Sequence, residues 1–178
     1  MAETANLQIL VVEDDPGMAI LVQERLEECG WEVTTAGSAA ECRECVSEQS
    51  FDVILLDRGL PDCDGASLID ELLAGRTDRA VVMLTGADSA ASATETLKLG
   101  AWDYVVKTTN LTYLDDLPGI VRRCQERIEW RREQERLRGE MDLLLTAIRS
   151  AGDIVVMIDS EGRVRFWNAA AEQLLGWT

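Results

Sequence analysis

Asp52-Val53-Ile54-Leu55-Leu56-Asp57, closed after Arg58 by Gly59-Leu60-Pro61, is the stretch that decides the fold. A short apolar run with β-branched residues that ends at a breaker cluster predicts a strand buried on both faces, as in a parallel sheet. That strand delivers Asp57 to its carboxyl end. In open α/β sheets this edge receives ligands, because the loops there carry polar groups while the strands stay packed. Aspartate is also a common turn former, so Asp57 alone decides nothing. What else reaches the same edge does.

Working outward, the apolar run 7–12 ends in Glu13-Asp14-Asp15, so a second strand also brings carboxylates to its carboxyl end. Asp15 before Pro16 suits an N-cap and first helical position. Ala19, Val22, Leu26 and Cys29 then recur at helical spacing before Gly30, which predicts a helix over 16–29. A short strand over 31–36 and a helix capped by Ser38 and running to about 47 precede the Asp57 strand. Beyond the loop 61–65 the pattern predicts a short helix over 67–74 and a strand over 80–84 ending at Thr85-Gly86. An Ala-rich helix from Ser89 to Gly100, a strand over 102–106 ending at Lys107, and a helix marked by Leu117, Val121, Cys124 and Ile128 complete the series. Five alternations of strand and helix predict a doubly wound α/β domain with a parallel sheet.

Composition narrows the function classes. The chain of 178 residues suffices for one full domain and part of a second, has no run of about 18 apolar residues, and begins without a basic region or signal core. A cytoplasmic protein is expected. Five cysteines fit free thiols in a reducing compartment, and the Cys42/Cys45 pair falls inside a predicted helix rather than at a redox strand-helix junction. No histidine is present, which excludes His catalysis, His metal sites and a phosphohistidine donor in this chain. The net charge of −16 is uneven: residues 1–121 carry 23 acidic against 7 basic side chains, and 122–149 carry 6 against 8. So acidic a surface repels nucleic acid and anionic membrane.

Past Ile128 the apolar phase shifts to Trp130, Gln134, Leu137, Met141, Leu144 and Ile148 at 4,3 spacing, with Glu129/Arg132, Glu133/Arg136 and Glu135/Arg138 as i,i+3 pairs. This predicts a coiled-coil linker over 129–149 and a parallel homodimer; a solvated single helix is the alternative. Gly139 costs that helix about 1 kcal/mol relative to Ala. The runs 154–158 and 164–167 across Ser160-Glu161-Gly162 predict a hairpin, and Asn168 caps a short helix ending near Gly176. A hairpin and one helix are too little for independent stability, so the chain is expected to stop inside a domain, with Val155, Phe166, Leu174, Leu175 and Trp177 in need of cover.

Three strands thus bring Glu13, Asp14, Asp57, Thr85 and Lys107 to one sheet edge. Converging carboxylates repel one another, and a hard divalent cation such as Mg²⁺, which needs only one or two of them plus water, relieves that repulsion. An ionised Asp57 beside the positive Lys107 is a nucleophile toward phosphorus, and the product is an aspartyl phosphate. Thr85 offers the phosphoryl group a hydroxyl, and Gly86 leaves room beside it. Trp102, five residues before Lys107, is the expected fluorescence reporter of cation binding.

Val11-Val12-Glu13-Asp14, Leu55-Leu56-Asp57 with Leu60-Pro61 and Asp64-Gly65, Met83-Leu84-Thr85-Gly86, and Gly100-Ala101-Trp102-Asp103-Tyr104 leading to Lys107 together resemble the receiver domain of two-component response regulators. The resemblance covers about 7–128 and implies a flavodoxin-like five-stranded sheet of order 2-1-3-4-5, within a receiver spanning 1–128. It implies Asp57 as phosphoacceptor, and Mg²⁺ (or Mn²⁺) held by Asp14, Asp57, the Gly59 carbonyl and, through water, Glu13. Thr85 and Lys107 would bind the phosphoryl group, Thr85 and Tyr104 would form the switch, and a histidine kinase or histidine phosphotransfer protein would be the donor. Thr108 stands where the family usually has Pro. The segment 150–178 resembles the start of a PAS domain through Ile158-Asp159, Gly162-Arg163-Val164, Phe166-Trp167-Asn168 and Leu175-Gly176.

The reading is a phosphorylation-dependent regulatory switch rather than an enzyme. Two alternatives compete: a phosphatase with Asp57 as nucleophile, and a pseudo-receiver that binds partners unphosphorylated. Against the first, Gly59 stands where dehalogenase-like phosphatases place their acid; against the second, Asp57, Thr85 and Lys107 are all present.

Overall fold

The computed structural model describes residues 7–86 and 93–176. Ser89 and Trp177, invoked above as a helix start and an apolar residue needing cover, lie outside them. Two compact units divide between Arg131 and Arg132.

In the first unit, β1 (Gln8–Val12), α1 (Pro16–Glu27), β2 (Glu32–Ala36), α2 (Ala39–Glu48), β3 (Val53–Asp57), a 3₁₀ turn (Gly65–Leu68) leading into α3 (Ile69–Leu73), β4 (Ala80–Gly86), α4 (Ala93–Lys98) and β5 (Asp103–Lys107) precede α5 (Tyr113–Ser150). The sheet is parallel, with order β2-β1-β3-β4-β5. Its order reverses at β1, so the carboxyl ends of β1 and β3 frame the crevice in which such sheets bind ligands. Alternation along β3 builds the core. Val53 and Leu55 join Val22, Leu26, Leu117, Val121 and Ile128 on one face, while Ile54 and Leu56 join Cys42, Leu68, Ile69 and Leu72 on the other. Both faces are therefore dry, and all of β3 is buried.

Local chemistry sets the element ends. The Asp15 carboxylate accepts from the Gly17 and Met18 amides, 2.8 and 3.1 Å away, so its work is capping α1. Helix α1 stops at Glu27, two residues before the predicted end, and Gly30 takes φ +83° in the turn that follows. Asp64 caps the Gly65–Leu68 turn through the Ala66 amide, so this segment coils two residues earlier than its periodicity predicts. Helix α5 begins at Tyr113, ahead of the first predicted apolar mark, and carries Pro118 in its second turn. Burial pushes the Cys42 thiol up to about 11, in keeping with an inert core cysteine.

Trp102 precedes β5, at the amino edge of the sheet, and stacks under the Arg127 and Arg131 guanidiniums, 4.4 and 4.9 Å from its ring centre. Arg131 Nη1 also donates to the Thr77 carbonyl at 2.9 Å. The length of β5 separates Trp102 from Lys107, about 16 Å at strand rise. Its expected service as a reporter of cation binding is therefore not supported.

The second unit holds the rest of α5, the antiparallel pair β6 (Val156–Ile158) and β7 (Val164–Trp167), and α6 (Ala169–Leu175). Asn168 organises it. Its buried side chain accepts from the Val155 and Ala171 amides and donates to the Ile148, Ala151 and Asp153 carbonyls. Because Asn168 takes the Val155 amide, β6 starts at Val156 and not at the predicted 154. Gly162, at φ +80°, makes the hairpin turn and Gly176, at +70°, ends α6. On α5 the predicted Glu133–Arg136 pair is formed at 2.7 Å, and Arg136 also reaches Glu140. Among the described residues no helix is long and apolar enough to cross a membrane.

Candidate functional site

Parallel register carries the chemistry to one edge. β1 ends immediately before Glu13 and Asp14, Asp57 is the last residue of β3 and pairs with Leu84, and Gly86 of β4 pairs with Lys107 of β5. Lys107 Nζ donates to Glu13 Oε2 at 2.6 Å and lies 2.8 Å from Asp57 Oδ2. Glu13, Asp57 and Thr85 are buried, while Asp14 is exposed.

The electrostatics follow from that placement. Burial pushes Glu13 above the ordinary carboxylate range, and the hydrogen bond from Lys107 only partly offsets it. Burial also disfavours the Lys107 ammonium, but its bonds to Asp57 and Glu13 outweigh this and hold its pKa above the ordinary lysine value. One ammonium thus balances three carboxylates incompletely.

Among the described residues, the group of acidic or sulfur side chains with ligand atoms within 4.8 Å of one another is Glu13, Asp14 and Asp57. An all-oxygen set with one exposed member, open to water, fits a hard cation such as Mg²⁺. A cleft of about 640 Å³ leads to the group, lined in part by Asp57, Gly59, Cys63, Gly86 and Lys107. Gly59 bridges to Asp64, and Arg58 pairs with Asp64 at 3.3 Å, so the loop after Asp57 is closed on itself. Tyr104 is 37% exposed on β5.

Three contributors escaped the sequence reading of the site. Gly65 lies so close to the strand end that a Cβ there would stand 2.0 Å from the Asp57 carbonyl oxygen. Its place in Asp64-Gly65 was a signal, but the close approach was not. Gly65→Ala is expected to cost at least about 2 kcal/mol, because rigid backbone must move; an unchanged urea midpoint would show that the loop yields freely. Asp62 accepts from the Ala39 and Ala40 amides, both at 2.9 Å, and those bonds hold its carboxyl below the usual range. They tie the Asp57 loop to the start of α2. Tyr113, unmarked by any motif or spacing in the sequence, is buried, and its hydroxyl has no hydrogen-bond partner among the described residues.

Comparison with known proteins agrees with this architecture. The family model "Response regulator receiver domain" matches residues 9–117, and "PAS fold" matches 139–178. The transcriptional regulatory protein ZraR of Escherichia coli K12 is 36% identical over 102 residues, 57% of this chain and 23% of that protein. The transcriptional regulatory protein AruR of Pseudomonas aeruginosa is 36% identical over 108 residues, 58% of this chain and 44% of that protein. The chain thus spans less than half the length of these curated relatives. The CheY-like receiver domain protein of Methanospirillum hungatei aligns with TM-score 0.65 at 28% identity, over 71% of this chain and 99% of that one. NtrX from Brucella abortus aligns with TM-score 0.68 at 27% identity, over 75% and 30%. The chain belongs to the response regulator receiver family, with the beginning of a PAS fold following the receiver.

Proposed function

We propose that the receiver takes a phosphoryl group on Asp57 and acts as a regulatory switch rather than as an enzyme. The Lys107 ammonium, seated between Asp57 and Glu13 at the sheet edge, is the observation that carries this reading. A phosphohistidine of a histidine kinase or phosphotransfer protein, or a small acyl phosphate, is the donor. One Asp57 Oδ attacks phosphorus, the bond from phosphorus to the donor breaks, and a mixed carboxylic-phosphoric anhydride forms. Lys107 balances charge on the phosphoryl oxygens and the Thr85 hydroxyl donates to one of them, while Asp14, Asp57, the Gly59 carbonyl and, through water, Glu13 would hold the cation. When bound, Mg²⁺ or Mn²⁺ supplies further positive charge at those oxygens. Thr85, drawn to the phosphoryl group, and Tyr104 on the neighbouring strand serve as the switch.

The working division is a receiver over 1–128, a helical linker over 129–149 that dimerises and relays the change, and a PAS-like segment over 150–178. The protein works in the cytoplasm, without nucleic acid or membrane as a partner of this chain. Acetyl phosphate with Mg²⁺ separates the readings: stable labelling supports the switch, steady release of phosphate a phosphatase, and no labelling a pseudo-receiver.

Asp14 is the exposed carboxylate of the group, and removing it leaves the cation fewer protein ligands to offset its dehydration. Asp14→Ala is expected to weaken Mg²⁺ binding about tenfold or more in calorimetric titration. Unchanged affinity would remove Asp14 from the site.

A further inference from the structure

Tyr113 opens α5 and is 3% exposed, packed in the apolar cluster that contains Leu84 and Val105. Its hydroxyl has no hydrogen-bond partner among the described residues. An unpaired buried hydroxyl is a standing cost to a fold, and native structures keep few of them. A shallow cleft lined by Val106, Thr108 and Tyr113 places the ring beside the carboxyl end of β5, the end that carries Lys107. Burial also pushes the phenol above its ordinary range. The group is therefore a protonated hydroxyl at neutral pH, able both to donate and to accept.

Lys107 shows where such a partner is needed. Its ammonium has three donors, and among the described residues Glu13 and Asp57 are its carboxylate partners. Glu13 is also one of the three carboxylates grouped closely enough to hold a cation. It cannot commit its charge fully to both. Were Glu13 to turn toward a cation, a partly buried ammonium would lose its shortest bond.

We propose that Tyr113 is a positioning residue for phosphoryl transfer: its hydroxyl accepts a hydrogen bond from Lys107 when Glu13 turns from Lys107 to a divalent cation, keeping that ammonium beside Asp57. Cation binding and the Tyr113–Lys107 bond are then thermodynamically linked, each favouring the other. This deepens the phosphoacceptor reading and rests on it for the transfer step alone.

A double-mutant cycle in the full chain tests it, with Mg²⁺ affinity read by calorimetry in wild type, Tyr113→Phe, Lys107→Met and the double variant. Phenylalanine fills the same volume, so Tyr113→Phe should melt no lower than wild type without Mg²⁺. Its Mg²⁺ affinity should fall about three- to tenfold, the scale of one net hydrogen bond, and its initial labelling rate with acetyl phosphate at saturating Mg²⁺ should fall similarly. In the Lys107→Met background the same change should alter Mg²⁺ affinity less than twofold, since no ammonium remains to be held. A merely packing tyrosine predicts affinities within twofold in both backgrounds, and that result would overturn the proposal. So would an equal loss with and without Lys107. If wild type takes no label, the phosphoacceptor reading fails by itself, while the calorimetric cycle still decides the role of Tyr113.

Discussion

Asp57→Asn is expected to take up no phosphoryl group from acetyl phosphate and Mg²⁺ under conditions that label the wild-type chain to a stable plateau. Asparagine keeps the length and planarity of the side chain, and its amide oxygen can still accept from Lys107, so the edge should remain assembled. What disappears is the carboxylate that attacks phosphorus and one of the charges that gather the cation. The neighbouring carboxylates are poor substitutes. Glu13 is buried and held by Lys107, and Asp14 begins the chain's departure from β1 rather than closing β3 beside the cleft. Intact-mass measurement gives the answer directly, with a melting curve as the check on folding. Labelling of Asp57→Asn at the wild-type level would show the assignment to be wrong.

The two parts of the site differed in legibility for a physical reason. β3 has both faces covered, so its run from Val53 to Leu56 is unbroken in the sequence, and the charged residue that ends it is conspicuous. The same logic exposes Glu13 after β1 and Lys107 at the end of β5. Tyr113 has no such punctuation: a buried aromatic at the start of a helix reads as core, and what sets it apart is a buried hydroxyl with no partner among the described residues. Sequence distance misled at Trp102 because a strand is extended, so residues five apart stand at opposite edges of the sheet. β6 was overextended because backbone pairing there is set by a side chain 13 residues away, Asn168, which no strand periodicity reveals.

Sedimentation of the full chain is expected to show a dimer at tens of micromolar, and the pair Leu137→Glu with Leu144→Glu to return it to monomer. Leu137, Met141 and Leu144 are 45%, 58% and 59% exposed along one helix at 4,3 spacing, with Trp130 exposed before them and Ile148 half-buried after. A second copy in parallel register offers each position its own counterpart and turns the stripe into a seam. Each such side chain contributes roughly 1.5 to 3 kcal/mol when fully removed from water, and the pair contributes twice over. Against this stand the loss of free tumbling, about 4 kcal/mol or more, and the burial of polar Gln134. The flanking charges of 122–149, 8 basic against 6 acidic, do not oppose the approach as the acidic receiver surface would. Glutamates at 137 and 144 put like charges face to face in a seam that excludes water, where they cost several-fold more than on the surface. Leu143, 71% exposed and next to the stripe, fixes its rotation: Leu143→Glu alone should leave the dimer in place. Monomeric wild type at this concentration, or a dimer that survives the double substitution, would sink this mode of assembly, and loss of the dimer in Leu143→Glu would move the seam to another face of the helix.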